Sequence, residues 1–260
     1  MSQKPNVLVI RTAGTNCDKE TAFAFETAGA NSFLSHVNEV KEKKNLAFYQ
    51  IMAIPGGFSY GDDLGAGKIL SLELMLWLQD EIKRFIDKGG LILGICNGFQ
   101  VLVKTGILPD LSFSQTVTLT DNDSHRFEDR WVYLKVEGRG SRVKGFEDIW
   151  LRDLPEIINL PVAHGEGKFY AEKDILDKIE NNGRVALRYS DSQGGETGYP
   201  LNPNGSLNSI AGICDVSGKI LGLMPHPERC IFKHHLPFWK EKEAIPFGLK
   251  IFKNAVSYFK

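Results

Sequence analysis

Cysteine is scarce in this sequence, and long apolar runs are missing. The 260 residues include four cysteines, at positions 17, 96, 214 and 230, and none forms a C-x-x-C pair. This density is far below that of a disulfide-stabilised secreted scaffold. No apolar run approaches the length of a membrane span, and the N-terminus has no apolar signal core. We therefore expect reduced thiols and a cytoplasmic location.

An excess of charge of either sign is also absent. Lys and Arg number 31 against 32 Asp and Glu, so the formal net charge is −1. This balance gives no reason to expect nucleic acid or a membrane surface as a partner. No spacing of His, Cys, Asp and Glu matches a zinc site, so we expect no metal.

The order of apolar runs and helix-like segments predicts an α/β fold. Unalternating apolar runs at 7–10, 51–54 and 91–95 predict buried strands, which are typical of a parallel sheet covered on both faces. Helices are predicted up to about Ala28 and over 74–86, 97–105 and 246–258. Six further strands are predicted at 117–120, 131–136, 157–162, 184–189, 209–214 and 220–223. We expect a single domain over 1–260: three layers, a mostly parallel central sheet flanked by helices, and a β-rich elaboration in the second half.

Residues 94–98 have the G-x-nucleophile-x-G form of a nucleophile elbow, with Cys96 at its centre. A predicted strand precedes this segment and a predicted helix follows it, as the motif requires. The positive end of the helix dipole favours a reactive thiolate at this position. The alternative is a buried structural cysteine. Cys17 also precedes a predicted helix, but Asp18 beside it opposes thiolate formation, so we interpret it as structural or loop-ordering, and Cys214 and Cys230 as structural.

A catalytic thiol needs a base, and the base needs a group that orients it. Among the six histidines, His226 has a carboxylate two residues on, at Glu228. Prolines at 225 and 227 favour an extended chain, in which residues i and i+2 project to the same side. The alternative is a loop histidine beside a surface carboxylate.

Two glycine-rich segments follow predicted strands. After strand 51–54 come Gly56 and Gly57, and the amides of Gly57 and Asn97 are candidates for an oxyanion hole. An ordinary strand-to-helix turn is the alternative. The glycines around His164, at 165 and 167, predict a flexible loop that contacts ligand or partner. Residues 61–68 do not fit a phosphate-binding loop, because their glycines are one residue too far apart and Ile69 replaces the required Ser or Thr.

These motifs together resemble the class I (triad-type) glutamine amidotransferases. The elbow extended to Gln100, the 55–57 loop and the distal His-x-Glu carry the resemblance. Four further segments resemble, more specifically, the glutaminase components of phosphoribosylformylglycinamidine synthases: 11–18, 56–63, 161–167 and 202–206. The resemblance covers residues 7 to about 230 and implies a flavodoxin-like α/β fold.

The resemblance also implies a function. Cys96 would attack the carboxamide of L-glutamine, His226 would transfer the proton, and Glu228 would orient His226. The amides of Gly57 and Asn97 would hold the oxyanion, while Gln100 and His164 would border the glutamine pocket. The released ammonia would pass to a large synthetase subunit, which would carry ATP and Mg and amidate formylglycinamide ribonucleotide. A small third subunit would complete the complex, and this chain would need no cofactor of its own.

Three other functions remain open at this point. The first is the amidotransferase of another synthase, with the same chemistry and a different acceptor. The second is a cysteine hydrolase of related α/β fold, and the third is a binding module without activity.

Overall fold

The fold is built on one long sheet and one short one. A computed structural model describes residues 3–137, 148–195, 198–242 and 244–260. Its strands are β1 (Asn6–Arg11), β2 (Asn31–His36), β3 (Ile51–Ile54), β4 (Leu91–Ile95), β5 (Val117–Asp121), β6 (Glu128–Val136), β7 (Ile157–His164), β8 (Glu166–Ala171), β9 (Val185–Ser190), β10 (Ile210–Cys214) and β11 (Ile220–Leu223). Its α-helices are α1 (Asp18–Ala28), α2 (Val37–Lys43), α3 (Lys68–Asp87), α4 (Asn97–Lys104), α5 (Lys173–Asn181) and α6 (Gly248–Ser257).

The long sheet has nine strands in the order β2-β1-β3-β4-β11-β10-β9-β6-β7, and β5 pairs with β8 in the short sheet. The first five strands of this order pair in parallel, and the remaining pairs are antiparallel. Since β9 and β7 each follow an antiparallel neighbour, they run in the same direction as the first five, and only β10 and β6 are reversed. The predicted α/β fold, with a mostly parallel sheet flanked by helices and a β-rich second half, is confirmed.

The complete burial of the central strands explains why they could be predicted from the sequence. Every residue of β3, β4 and β11 is buried, which produces the unalternating apolar runs of the sequence. The helices pack in groups against the sheet, with α1 on α6 and α3 on α4. In the described part of the chain, no helix is long and apolar enough to cross a membrane.

Four elements were not predicted: β2, α2, β8 and α5. Strand β2 is an edge strand with half its residues exposed, and its polar composition hides it. Strand β8 begins directly after Gly165, so the prediction of a flexible loop around His164 is wrong. The glycine turns the chain between β7 and β8, whose strands continue on both sides of it. The single-domain prediction over 1–260 includes residues outside the described ranges and stays a prediction.

Candidate active site

Cys96 occupies a strained turn between β4 and α4. Its backbone has φ 50° and ψ −105°, a conformation that non-glycine residues rarely adopt. Such strain costs on the order of 1–3 kcal/mol and is concentrated at functional sites. The side chain is 5% exposed, at the N-terminal end of α4.

The flanking glycines of the elbow serve close packing. A Cβ on Gly98 would lie 1.8 Å from the carbonyl oxygen of Ile54, and a Cβ on Gly94 would lie 2.6 Å from Leu102. Neither glycine has a positive φ, and the residue of the elbow that does have one is Cys96 itself. The glycines therefore let α4 pack directly on β3 and β4, which fixes where the thiol projects.

Three neighbouring strands end at this point. Strands β3, β4 and β11 are adjacent and parallel, and Ile54, Gly94 and Gly222 lie in register across them. Their carboxyl ends therefore meet at one edge of the sheet. The 56–57 loop leaves β3, Cys96 leaves β4, and His226 follows β11. This topology brings together the three groups that the sequence placed far apart.

His226 and Glu228 form a buried pair. His226 Nδ1 lies 2.7 Å from Glu228 Oε1, and both side chains are almost fully enclosed. Residues 227–229 form a single 3-10 turn, so the two side chains meet across a turn; the expected extended segment is wrong. The backbone amide of His226 donates to Pro161 O on β7 at 2.8 Å, which fixes the histidine from the other side.

The charge of Glu228 determines the protonation of His226. Burial disfavours the imidazolium, but the negative carboxylate and the nearby Cys96 outweigh it, and the pKa of His226 is raised well above its usual range. Its buried Nε2 atom forms no hydrogen bond of good geometry with any described residue, although the Cys96 and Cys17 thiols lie close enough to contribute to the raised pKa of the ring. The thiol of Cys96 donates instead to the carbonyl of Ala163, at 3.6 Å. The free Nε2 is thus available to exchange a proton with the thiol or a bound substrate.

Residues 14–17, after β1, form hydrogen bonds with the 56–58 loop, which carries the candidate oxyanion donor Gly57. The Phe58 amide donates to Gly14 O at 3.0 Å, and the Cys17 amide donates to Gly56 O at 3.2 Å. Gly57 lies between them, bridged to Thr15, with φ 139°. No described residue accepts a hydrogen bond from the Gly57 amide, and Gly57 lines the cavity at the elbow. This leaves a fixed donor free for a ligand.

Asn97 and Gln100 brace the elbow. The Asn97 side chain accepts from the Ser59 amide at 3.2 Å and donates to Asp62 Oδ1 at 3.1 Å and to Gln100 Oε1 at 3.0 Å. Gln100 in turn donates to the backbone carbonyl of Glu166 on β8. Both side chains are buried, so this network ties the elbow, the 58–62 loop and β8 together.

A cavity of about 460 Å³ opens onto Cys96, within the size range of small-molecule sites. Gly57, Gln100 and His164 line it, whereas Gly56, Asn97, His226 and Glu228 are not among its lining residues. Gly165, named above beside His164, also lines the cavity, and its other lining residues were not singled out individually from the sequence: Phe58, Asp62, Ala66, Asp121, His125, Arg126, Phe127, Ala163 and Glu166. Acidic and basic side chains in one cavity suit a zwitterionic amino acid. Most of them can be recognised as cavity residues only from the structure, because they lie on separate loops and share no sequence motif.

His164 is locked in a polar network. Its Nδ1 lies 3.1 Å from Asn122 Oδ1, and its Nε2 lies 3.4 Å from the side-chain nitrogen of Asn204, which also donates to Gly167 O. Burial, with a smaller effect of the positive His226, lowers the pKa of His164 to about 4, so the ring is neutral. A Cβ on Gly167 would lie 2.5 Å from this ring, which explains the second glycine of the segment. The network fixes the cavity wall next to Ala163.

Cys17 lies beside the histidine pair. Among the described residues, Cys17, His226 and Glu228 bring ligand atoms within 4.8 Å of one another, the arrangement of a possible metal site. However, the guanidinium of Arg229 donates to Cys17 Sγ at 3.1 Å. Its positive charge opposes a cation there, and Glu228 is already engaged by His226. The arrangement fits a side-chain cluster better than a metal centre.

Known proteins share both the sequence and this architecture. Residues 4–259 match the family model of the CobB/CobQ-like glutamine amidotransferase domain. The chain is 47% identical over 262 residues to a phosphoribosylformylglycinamidine synthase subunit PurQ of Dehalococcoides mccartyi, covering 98% of each chain. It is 38% identical to the PurQ subunit of Archaeoglobus fulgidus, covering 97% of this chain and 96% of the relative.

Solved structures agree with the sequence relatives. A chain in the structure of PurLQS from Thermotoga maritima matches with a TM-score of 0.75 and 30% identity, covering 99% of this chain and 100% of that one. A glutamine amidotransferase from the same organism matches with a TM-score of 0.54 and 17% identity, which supports the fold alone.

Proposed function

We propose the function of this chain from its family membership: the chain belongs to the CobB/CobQ-like glutamine amidotransferase family. It is the glutaminase subunit of a phosphoribosylformylglycinamidine synthase and supplies ammonia for the amidation of formylglycinamide ribonucleotide in purine biosynthesis. Near-complete coverage of PurQ relatives at up to 47% identity supports the pathway. The observation that carries the chemistry is the cavity that ends on Cys96, with the His226–Glu228 pair behind it.

The reaction begins with the Cys96 thiolate. It attacks the side-chain carbonyl carbon of glutamine, and the amides of Gly57 and Asn97 stabilise the oxyanion. His226 has taken the thiol proton and returns it to the departing nitrogen, which leaves as ammonia. A glutamyl thioester remains on Cys96. Water, deprotonated by His226, hydrolyses this thioester to glutamate and regenerates the thiol.

Glu228 keeps His226 competent through both steps. Its carboxylate holds Nδ1, so Nε2 faces the reacting atoms, and its charge stabilises the imidazolium that forms in each half-reaction. The neutral His164 maintains the wall of the cavity next to Ala163. Gln100 borders the glutamine site and connects it to β8.

The ammonia acceptor requires a partner. A large synthetase subunit, carrying ATP and Mg, would activate the ribonucleotide, and a small third subunit would complete the assembly. The complex would operate in the cytoplasm. This chain contributes the glutamine site and requires no cofactor of its own.

Reconstitution tests this proposal. The purified chain is combined with the synthetase that co-purifies with it, and ammonia-dependent and glutamine-dependent amidation of formylglycinamide ribonucleotide are compared. Glutamine should support the reaction with the wild-type chain and not with Cys96→Ala, whereas added ammonia should support it with both. Co-purification with a synthetase that uses another acceptor would contradict the pathway assignment.

A further inference from the structure

A second buried cysteine lies against the proposed catalytic histidine. Cys17 is 1% exposed. A Cβ on Gly56 would meet Cys17 Sγ at 3.2 Å and the His226 ring at 2.8 Å. The sulfur and the imidazole therefore lie side by side over Gly56, on the side where a Cβ would project, with their ligand atoms within 4.8 Å of one another. This contact is not part of the mechanism described above.

The backbone of Cys17 is held at both ends. Its amide donates to Gly56 O at 3.2 Å, and its carbonyl accepts from the amide of Thr21 at 3.0 Å and from the Thr21 hydroxyl at 2.8 Å. The thiol donates to Asn16 Oδ1 at 3.4 Å. The sulfur thus occupies a fixed position relative to the loop that carries Gly57.

Arg229 contacts the same sulfur. Its Nη2 donates to Cys17 Sγ at 3.1 Å, and its Nε lies 2.9 Å from Glu20 Oε2. Arg229 is the third residue after His226 and lies near enough to Glu228 to interact with its charge. The sulfur and the Glu20 carboxylate together hold the guanidinium in place next to the His226–Glu228 pair.

The charged surroundings of His226 come from several elements. The titratable groups that act on its ring are Cys17 before α1, Cys96 on the elbow, His164 on β7 and Glu228 on the 3-10 turn, and the positive charge of Arg229 acts on two of them, Cys17 and Glu228. Burial raises the pKa of the Cys17 thiol, which is therefore neutral at physiological pH. This neutral sulfur lies next to both the Arg229 cation and the imidazole and adds no charge of its own.

We propose that Cys17 is a positioning residue for His226: its sulfur holds the Arg229 guanidinium away from the imidazole and supports the ring against Gly56. This inference rests on the proposed glutaminase function. Cys17 transfers no proton and forms no bond to substrate. Its effect is to preserve the basicity and orientation of His226.

Two variants should shift the titration of His226 in opposite directions. Cys17→Ala removes the acceptor and lets the guanidinium approach, which lowers the proton affinity of the imidazole. Arg229→Gln removes the positive charge and raises that affinity. The alkaline inflection of kcat/KM against pH, where the imidazolium loses its proton, should move to lower pH in Cys17→Ala and to higher pH in Arg229→Gln. We expect Cys17→Ala to lose about tenfold in kcat with KM changed less than about twofold.

Two further variants separate positioning from packing. Cys17→Ser retains an acceptor for Arg229, so its alkaline inflection should match that of the wild type and its kcat should fall by less than about threefold. Cys214→Ala removes a buried thiol that contacts Arg184 O and no catalytic residue, and should leave the profile unchanged. Thermal unfolding of each variant shows whether a loss of kcat reflects misfolding.

The same inflection is measurable without turnover, from the rate of iodoacetamide alkylation of Cys96 followed by mass spectrometry. This assay works even if the wild type releases no ammonia from glutamine, a result that would overturn the proposed function alone. Opposite shifts in Cys17→Ala and Arg229→Gln support the positioning role. Inflections that coincide with the wild type in both folded variants overturn it, as does the same shift in Cys17→Ser as in Cys17→Ala. If Cys17→Ala does not fold, Arg229→Gln and Cys17→Ser decide the question in the same way.

Discussion

Two buried histidines beside Cys96 are held in opposite protonation states. Glu228 keeps His226 charged, while burial in an amide network keeps His164 neutral. Both rings are nearly inaccessible to solvent, so each state is set by its immediate neighbours. A charged His164 would repel His226 and disrupt the wall of the cavity. The division of charge between the two is therefore part of the site.

Glu228→Gln tests the first of these states. The substitution removes the negative charge and preserves the size of the side chain, so the pKa of His226 should fall. We expect kcat for ammonia release to decrease by about 10²-fold or more, with the alkaline limb of the pH profile moved to lower pH. Steady-state kinetics between pH 6 and 10 provide the measurement. An unchanged kcat would contradict the orienting role of Glu228.

His164 should make the fold sensitive to acid. Its folded-state pKa of about 4 lies below the unfolded value of 6.5, so the unfolded chain binds the proton more tightly. The stabilisation is therefore present above pH 6.5 and is lost as the pH falls toward 4. Between pH 6.5 and 4.5 the loss from this group is about 2 kcal/mol. His226 has a raised pKa, and its contribution changes above pH 6.5, where stability falls with rising pH.

The matched variant is His164→Asn, measured by urea unfolding at pH 6.5 and 4.5. Its free energy of unfolding should be lower than that of the wild type at both pH values, because the network is broken. The difference between its free energies of unfolding at pH 6.5 and at pH 4.5 should, however, be about 2 kcal/mol smaller than that of the wild type. An equal pH dependence in both proteins would show that His164 is not the buried neutral group.

At the level of secondary structure, the site depends on how closely α4 lies on β3. Gly98 permits this contact, because any side chain there would run into the carbonyl of Ile54. We expect Gly98→Ala to lower the free energy of unfolding by about 1–3 kcal/mol and to reduce activity, since the elbow must shift. Gly198→Ala is the control, because a Cβ at Gly198 meets nothing within 4 Å. Chemical denaturation of the two variants gives the comparison, and equal stabilities would contradict the packing argument.

The central strands and the elbow were predictable because their signals are local. Strands β3, β4 and β11 are buried along their whole length, and Cys96 stands between a strand and a helix in its own sequence segment. Strand β2 was not predictable, because an edge strand with exposed polar residues has no apolar pattern. The turn that joins His226 to Glu228 was also missed, since the two flanking prolines favoured an extended chain.

Contacts between segments that are distant along the chain could not be predicted from the sequence. The clamp of residues 14–17 on the 56–58 loop, and the meeting of Cys17 with Arg229, arise only when β1, β3 and β11 are arranged in the sheet. The neighbouring Asp18, which suggested a carboxylate beside the Cys17 thiol, pairs with Arg11 at 3.4 Å. Sequence proximity therefore misled in this case, because side chains of adjacent residues point to different partners.

At the level of the whole molecule, two exposed aromatic rings line the cavity. Phe58 and Phe127 are 45% and 53% exposed, and their ring centroids lie 6.4 Å apart. In the isolated chain the thiol of Cys96 donates to Ala163 O, and His226 Nε2 forms no hydrogen bond of good geometry with any described residue. We expect glutaminase turnover of the isolated chain to be low, and to rise at least about tenfold when the synthetase and its nucleotide substrates are added. Coupled assay of glutamate with and without the partner tests this, and high turnover indifferent to the partner would contradict it.

The most direct test of the central claim is covalent trapping with a diazoketone analogue of glutamine. The analogue should fit the cavity and alkylate the nucleophile, because its reactive carbon takes the place of the glutamine carboxamide. We expect one adduct per chain, located on Cys96 by peptide mass spectrometry, with loss of ammonia release in proportion to labelling and protection by glutamine. An adduct on Cys17, or full activity in a chain fully labelled at Cys96, would contradict it.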